Sequence, residues 1–201
     1  MPLLGKKISR ESWFNSDMEF NQLYPPFIQS LAARHWTPLS VSRKAADFLA
    51  AEKGVRILDI GSGVGKFCLS AASFKPHASY FGVEQRKNLI AYAEKARETL
   101  CIEQVSFIHG NFTQLDLREY DHFYFYNSFY ENLTGTNKID DSIDYSGELY
   151  NYYNRYLYKQ LEKMPAGTRL ATFHSLEDEI PQGYHIVGAH MDNLLKLWIK
   201  I

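Results

Sequence analysis

Val55-Arg56-Ile57-Leu58-Asp59-Ile60-Gly61-Ser62-Gly63-Val64-Gly65 decides how the rest of this chain is read. Its first half is a short apolar, β-branched run of the kind that forms a buried parallel strand. The glycines follow at once, and Lys66-Phe67-Cys68-Leu69-Ser70-Ala71-Ala72 then has helical composition. A second strand candidate, Ser79-Tyr80-Phe81-Gly82-Val83, ends on Glu84. Strand, glycine turn, helix, strand and terminal acid make one βαβ unit of the nucleoside-binding type. Glycine lets the backbone turn sharply and approach a ligand closely, and the free N–H groups of the next helix favour a negative group. An acid at the tip of the neighbouring strand can accept both hydroxyls of a ribose, so the unit is expected to hold an adenosine.

A dinucleotide fingerprint places a third small residue where this chain has Lys66, which argues against a nicotinamide cofactor. The spacing Leu58-Asp59-Ile60-Gly61-Ser62-Gly63-Val64-Gly65, closed by Glu84, resembles class I S-adenosylmethionine-dependent methyltransferases. The resemblance implies an α/β fold: a three-layer α/β/α sandwich on a seven-stranded, mostly parallel sheet of order 3-2-1-4-5-7-6 with an antiparallel last strand. It implies S-adenosyl-L-methionine as cofactor. The loop Gly61, Ser62, Gly63 and Gly65 would lie under the methionine part, Asp59 would organise the loop and the cofactor's ammonium end, and Glu84 would hold the ribose.

Working outward, Trp36-Thr37-Pro38 supports two readings. Thr37 is a good N-cap and Pro38 a good first residue for a helix to about Glu52. It also resembles the Thr-Pro element of amino-methyltransferases, which makes Thr37 a candidate cofactor contact. Residues 1–37 are read as an N-terminal arm or helical lid and 38–201 as the Rossmann-like core of a single domain. Within the arm, short helices are expected over Asp17–Leu23 and Phe27–His35, with Trp13 and Phe14 as anchors.

Downstream, His109-Gly110-Asn111-Phe112 stands where the family has Gly-Asp and an apolar residue. The resemblance gives Asn111 the adenine amino group and Phe112 the adenine face, with Asp116 as a fallback acid; plain core is the other reading of Phe112. The aromatic strand Asp121–Tyr126 opens onto Asn127-Ser128-Phe129-Tyr130-Glu131, where adenine and glutamine methyltransferases have Asn/Asp-Pro-Pro-Tyr. On that likeness Asn127 holds the acceptor amine beside the cofactor, Tyr130 packs on a planar substrate, and Glu131 or bulk water takes the proton. Ser128-Phe129 replaces the prolines and is closer to the Asn-Asn-Phe type of histone-lysine methyltransferases lacking a SET domain. The polar stretch 132–146, with Asp140, Asp141 and Asp144, reads as a lid whose acidity would attract a cationic substrate, or as a solvated loop. A long helix capped by Ser146, a strand over 168–173 tipped by His174, and a closing hairpin around Met191-Asp192-Asn193 complete the chain.

Of 201 residues, 22 are basic and 23 acidic, a formal charge of −1, which offers no broad cationic field for nucleic-acid phosphates. Lys6, Lys7 and Arg10 read as a solvated basic end. No run approaches the roughly 18 apolar residues of a membrane helix, and Cys68 and Cys101 have no metal-ligand spacing, so a cytoplasmic protein with reduced thiols and no metal site is expected. The function implied is methyl transfer from S-adenosylmethionine to a nitrogen nucleophile on a small molecule, a protein side chain or an RNA base. A non-catalytic protein binding S-adenosylmethionine or S-adenosylhomocysteine is the alternative, and a nicotinamide oxidoreductase is a more distant one.

Overall fold

A computed structural model describes residues 10–201; Lys6, Lys7 and the start of the arm lie outside them. Seven strands form one sheet in the order β3-β2-β1-β4-β5-β7-β6. They are β1 (Arg56–Ile60), β2 (Ser79–Glu84), β3 (Val105–His109), β4 (His122–Phe125), β5 (Arg169–Phe173), β6 (Tyr184–His190) and β7 (Leu195–Lys200). The first five pair in parallel, and β7 runs antiparallel to both β5 and β6.

Alternation along β1 assigns the two faces of the sheet. Ile57 joins an apolar cluster with helices α4 (Leu39–Leu49), α5 (Lys66–Phe74) and α6 (Lys87–Leu100), whereas Leu58 and Ile60 join a second cluster under α7 (Gly147–Glu162). Side chains two apart on a strand share a face, so a single run of four buried residues supplies both layers. The second layer is thinner than alternating helices would make it. After β3 and β4 the chain forms only 3₁₀ turns, at Phe112–Gln114, Leu117–Glu119 and Tyr130–Asn132, before α7 covers that face.

Several local expectations need correcting. The α4 helix starts at Leu39 with Pro38 in the cap position and no side-chain cap; the Thr37 hydroxyl instead pairs with the buried Tyr124 hydroxyl at 3.0 Å. The segment 27–35 breaks into α2 (Pro26–Gln29) and α3 (Ala32–His35), while α1 (Asp17–Asn21) is capped by Ser16. The Arg10–Phe14 segment is a 3₁₀ helix, with Phe14 buried and Trp13 packed on the same cluster. Ser146 caps α7 as read, its hydroxyl accepting from Leu149 N at 3.1 Å. On α7, Tyr150 and Tyr156 donate to Glu179 and the Thr113 carbonyl, and Tyr152 stays exposed. Among the described residues no helix is long and apolar enough to cross a membrane.

Candidate functional site

Parallel strands end together, and the order reverses between β1 and β4, which leaves a crevice outside their carboxyl ends. A cavity of about 610 Å³ lies there. Its wall includes Ile60 and Gly61 from the end of β1, Glu84 at the tip of β2, Gly110 and Phe112 after β3, Tyr126 to Asn132 after β4, and His174 after β5. Arg34 and His35 of α3 close one side, and Ile139, Ile143 and Tyr145 of the 133–146 connection close another.

The three loop glycines serve different ends. Gly61, Gly63 and Gly65 have φ of 77°, 54° and 80°, a region L side chains rarely adopt. A Cβ on Gly61 would overlap Ser128, and one on Gly65 would overlap the Phe107 ring. A Cβ on Gly63 would meet nothing within 4 Å and would stand in the cavity. Gly63 is therefore the position where bare backbone faces a ligand space. Ser62 is turned away over Gly82, its hydroxyl buried without a hydrogen-bond partner among the described residues.

Glu84 is buried at 6% exposure, and its carboxylate accepts from Gly63 N at 3.2 Å and Arg86 N at 2.9 Å. It thus joins the loop to the start of α6 while bordering the cavity. Asp59 points into the core beside Cys68, whose thiol approaches at 3.6 Å, and is not part of the cavity wall. Burial pushes its carboxyl up to about 8, with the Glu84 charge adding to the effect.

The N-terminal segment holds the loop from above. The Tyr24 hydroxyl donates to the Val64 carbonyl at 2.9 Å, and Lys66 Nζ, 4% exposed, reaches Asp17 at 2.5 Å and Asn21 at 3.0 Å. The lysine that breaks the dinucleotide pattern is thus the anchor for α1. Thr37 is not on the cavity wall; Ala33 to His35, just before it, are. Burial keeps the His35 imidazole below its ordinary range, with Arg86 and Arg34 acting the same way against Glu131. His174 is lowered by burial as well.

Two of the expected site residues are committed elsewhere. Asn111 Oδ1 accepts from Thr113 N and Thr113 Oγ1, both at 3.0 Å. Its Nδ2 donates to Gln85 Oε1 at 3.1 Å and to the Tyr153 hydroxyl at 2.9 Å. Both lone pairs and both protons of the amide are used, so nothing is left for an adenine amino group. Asp116 lies outside the cavity and pairs with Arg118. Phe112 does reach the wall, but one face is stacked on Phe129 at 5.1 Å and 23°.

Glu131 lines the cavity but is also engaged by the protein. Its Oε2 takes Arg86 Nη2 at 2.7 Å, Ile139 N at 3.0 Å and the Tyr145 hydroxyl at 3.3 Å, so this oxygen is engaged in holding the connection. Asn127 differs: it sits at φ 37°, lines the cavity, and its amide makes no hydrogen bond among the described residues. Tyr130, half exposed, lines the same wall. Ser128 stands where a proline was lacking because its hydroxyl donates to the Ile60 carbonyl at 2.6 Å, tying the β4 loop to the end of β1.

Arg86 went unnoticed in the sequence. Its guanidinium, 5% exposed, contacts Glu84, Glu131 and Asp140 together. Burial opposes its charge, but the Glu131 and Glu84 carboxylates outweigh that and hold it protonated. A cation at the start of a helix is unfavourable on its own, and that misfit was the legible hint.

Comparison with known proteins agrees with this geometry. Residues 51–140 match a family model described as a methyltransferase domain. The match covers somewhat less than half of the chain, and the sheet order seen here is that of the α/β methyltransferase fold. The matched residues run from the end of α4 past the glycine loop and Asn127 into the 133–146 connection. Over 54 residues the chain is 39% identical to a tRNA (guanine-N(7)-)-methyltransferase of Microcystis aeruginosa, an alignment covering 27% of this chain and 26% of that enzyme. The chain thus matches only about a quarter of its curated relative's length. Among solved structures, TrmN from Thermus thermophilus superposes with a TM-score of 0.59 at 17% identity, over 87% of this chain and 52% of that one. A SAM-dependent O-methyltransferase from Thermotoga maritima gives 0.58 at 15% identity, over 88% and 72%. At such identities the likeness is one of fold.

Proposed function

We propose that this protein is an S-adenosylmethionine-dependent methyltransferase acting on a nitrogen nucleophile, one domain in which residues 10–37 and 133–146 flank the site. The observation that carries the reading is the pairing of Gly63 with Glu84: bare backbone at positive φ faces the cavity, and the acid at the tip of β2 stands beside it. Glu84 takes the ribose, the Gly61–Gly63 backbone lies under the methionine part, and the Phe112 edge borders the adenine. These residues suit an adenosine group, since the Gly63 backbone borders the cavity with no side chain between it and a ligand. When bound, the cofactor supplies a sulfonium-borne methyl with a good leaving group, so the protein's task is alignment. Asn127, with its amide unpaired, orients the acceptor nitrogen, and Tyr130 packs against the acceptor. Glu131, held by Arg86 through Oε2, leaves the released proton to solvent or to a cavity histidine. The two cysteines, both unpaired, favour a cytoplasmic setting.

Titration calorimetry with S-adenosylmethionine, S-adenosylhomocysteine and NAD⁺ tests the reading. The first two are expected to bind and NAD⁺ is not. Glu84→Ala is expected to weaken both by roughly 2–4 kcal/mol, because two ribose hydroxyls lose a charged acceptor. An unchanged dissociation constant in that variant removes Glu84 from the site. Labelled cofactor with RNA, protein and small-molecule fractions then separates a transferase from a mere binder, and the relatives' tRNA substrates make RNA the first fraction to assay.

A further inference from the structure

One buried guanidinium links two parts of the cavity that are 47 residues or more apart in sequence, taking Glu84 to Glu131 as the shortest span. Arg86 Nη1 donates to Glu84 Oε1 at 3.3 Å, and its backbone N donates to the same oxygen at 2.9 Å. Its Nη2 donates to Glu131 Oε2 at 2.7 Å and to the Tyr145 hydroxyl at 2.6 Å, and its Nε to Asp140 Oδ1 at 3.3 Å. Tyr145 in turn donates to the Asp140 carbonyl at 2.6 Å, and Glu131 accepts from Ile139 N. Glu131, Asp140 and Tyr145 are therefore all fastened to the body of the protein through this one side chain, assisted by Asn88 on Asp140, while Asn132 and Ile139 hold the same segment by their own contacts.

The same group restrains Glu84. Three of the carboxylate's acceptor positions are taken, by Gly63 N, Arg86 N and Arg86 Nη1, so a ligand hydroxyl arriving at Glu84 meets a carboxylate whose orientation Arg86 sets. Planar geometry lets a guanidinium hold several acids at once, which a lysine ammonium on a flexible stem does not reproduce. Removing one partner of a buried charge network disturbs the rest, because the remaining charges stay desolvated.

We propose that Arg86 is a positioning residue that couples occupancy of the ribose acid Glu84 to the seating of residues 131–145 over the cavity. This rests on the reading of Glu84 given above. Coupling between sites is reciprocal, so each side is expected to report on the other. Asp140 is off the cavity wall and touches no bound group, yet Asp140→Ala is expected to weaken S-adenosylhomocysteine binding by about fivefold or more. In the Arg86→Lys background the same change is expected to add nothing further, since the link is already cut.

The reverse direction needs no ligand. Hydrogen exchange in the ligand-free protein is expected to be about fivefold faster or more at amides 137–145 in Glu84→Gln than in wild type, while amides of β1 and β4 hold their rates. Equal exchange at 137–145 in the two proteins overturns the coupling whatever the cofactor proves to be. Additive effects of Asp140→Ala and Arg86→Lys on affinity overturn it too. A wild-type protein that binds no S-adenosylhomocysteine, but shows the exchange difference, defeats the cofactor assignment and leaves the coupling standing.

Discussion

Asp59 offers a stability test that needs no substrate. Its side chain is 3% exposed and lies on the face of β1 turned towards α5, where the Cys68 thiol is its hydrogen-bond partner. Burial, with Glu84 adding, raises the carboxyl from 3.8 to about 8 in the folded protein. A raised folded value means that the native state keeps a proton the unfolded chain releases. Stability from this group is therefore full below about pH 4, falls as pH rises, and is lost once pH passes about 8. Each pH unit in that window is worth about 1.4 kcal/mol, on the order of 5 kcal/mol across it. Asp59→Asn keeps the shape and removes the titration. Urea unfolding at pH 5, 6.5 and 8 should show the stability of wild type relative to Asp59→Asn declining by several kcal/mol over the series. Parallel pH dependences for the two proteins would falsify the assignment of a proton to buried Asp59.

Three further substitutions probe the loop and the acceptor side. Gly63→Val puts a branched side chain at φ 54° and into the cavity; loss of S-adenosylhomocysteine binding by calorimetry is expected, and a folded variant that binds normally removes the loop as cradle. Tyr24→Phe strips the donor from the buried Val64 carbonyl and is expected to cost about 1–2 kcal/mol in urea unfolding; no change shows that Tyr24 does not brace the loop. Asn127→Ala should leave cofactor affinity within about threefold while single-turnover methyl transfer falls by about 10²-fold, since misplacing a nucleophile by about 1 Å costs that much. A full rate in that variant moves the search to His35 and His174, the imidazoles on the cavity wall.

Strand positions were readable because they follow from local signals, whereas the strand order was what the resemblance implied. Buried β-branched runs, glycines needing positive φ and an acid at a strand end each act over a few residues, and the sheet places them together. The thin second layer was less legible. Nothing in Phe112–Glu119 lacks helical composition outright, but Asn111 and Asp116 each turn the chain by accepting from a backbone N–H two residues on, and such turns compete with helix.

Side-chain roles failed where a residue's own partners decided them. Asn111 occupies the position an adenine-binding acid would hold, yet Gln85, Thr113 and Tyr153 take all of its hydrogen-bonding capacity, and those partners come from three different segments. Glu131 is engaged through Oε2 by Arg86, 45 residues away. Asn127 stands apart for a structural reason: its neighbour Ser128 already satisfies the Ile60 carbonyl, and its own carbonyl accepts from Tyr130 N at 3.0 Å. The β4 loop is thus held without the Asn127 amide. A polar side chain that the fold does not need, on the wall of the cavity and in a conformation costly for most residues, is one whose identity the fold alone does not explain.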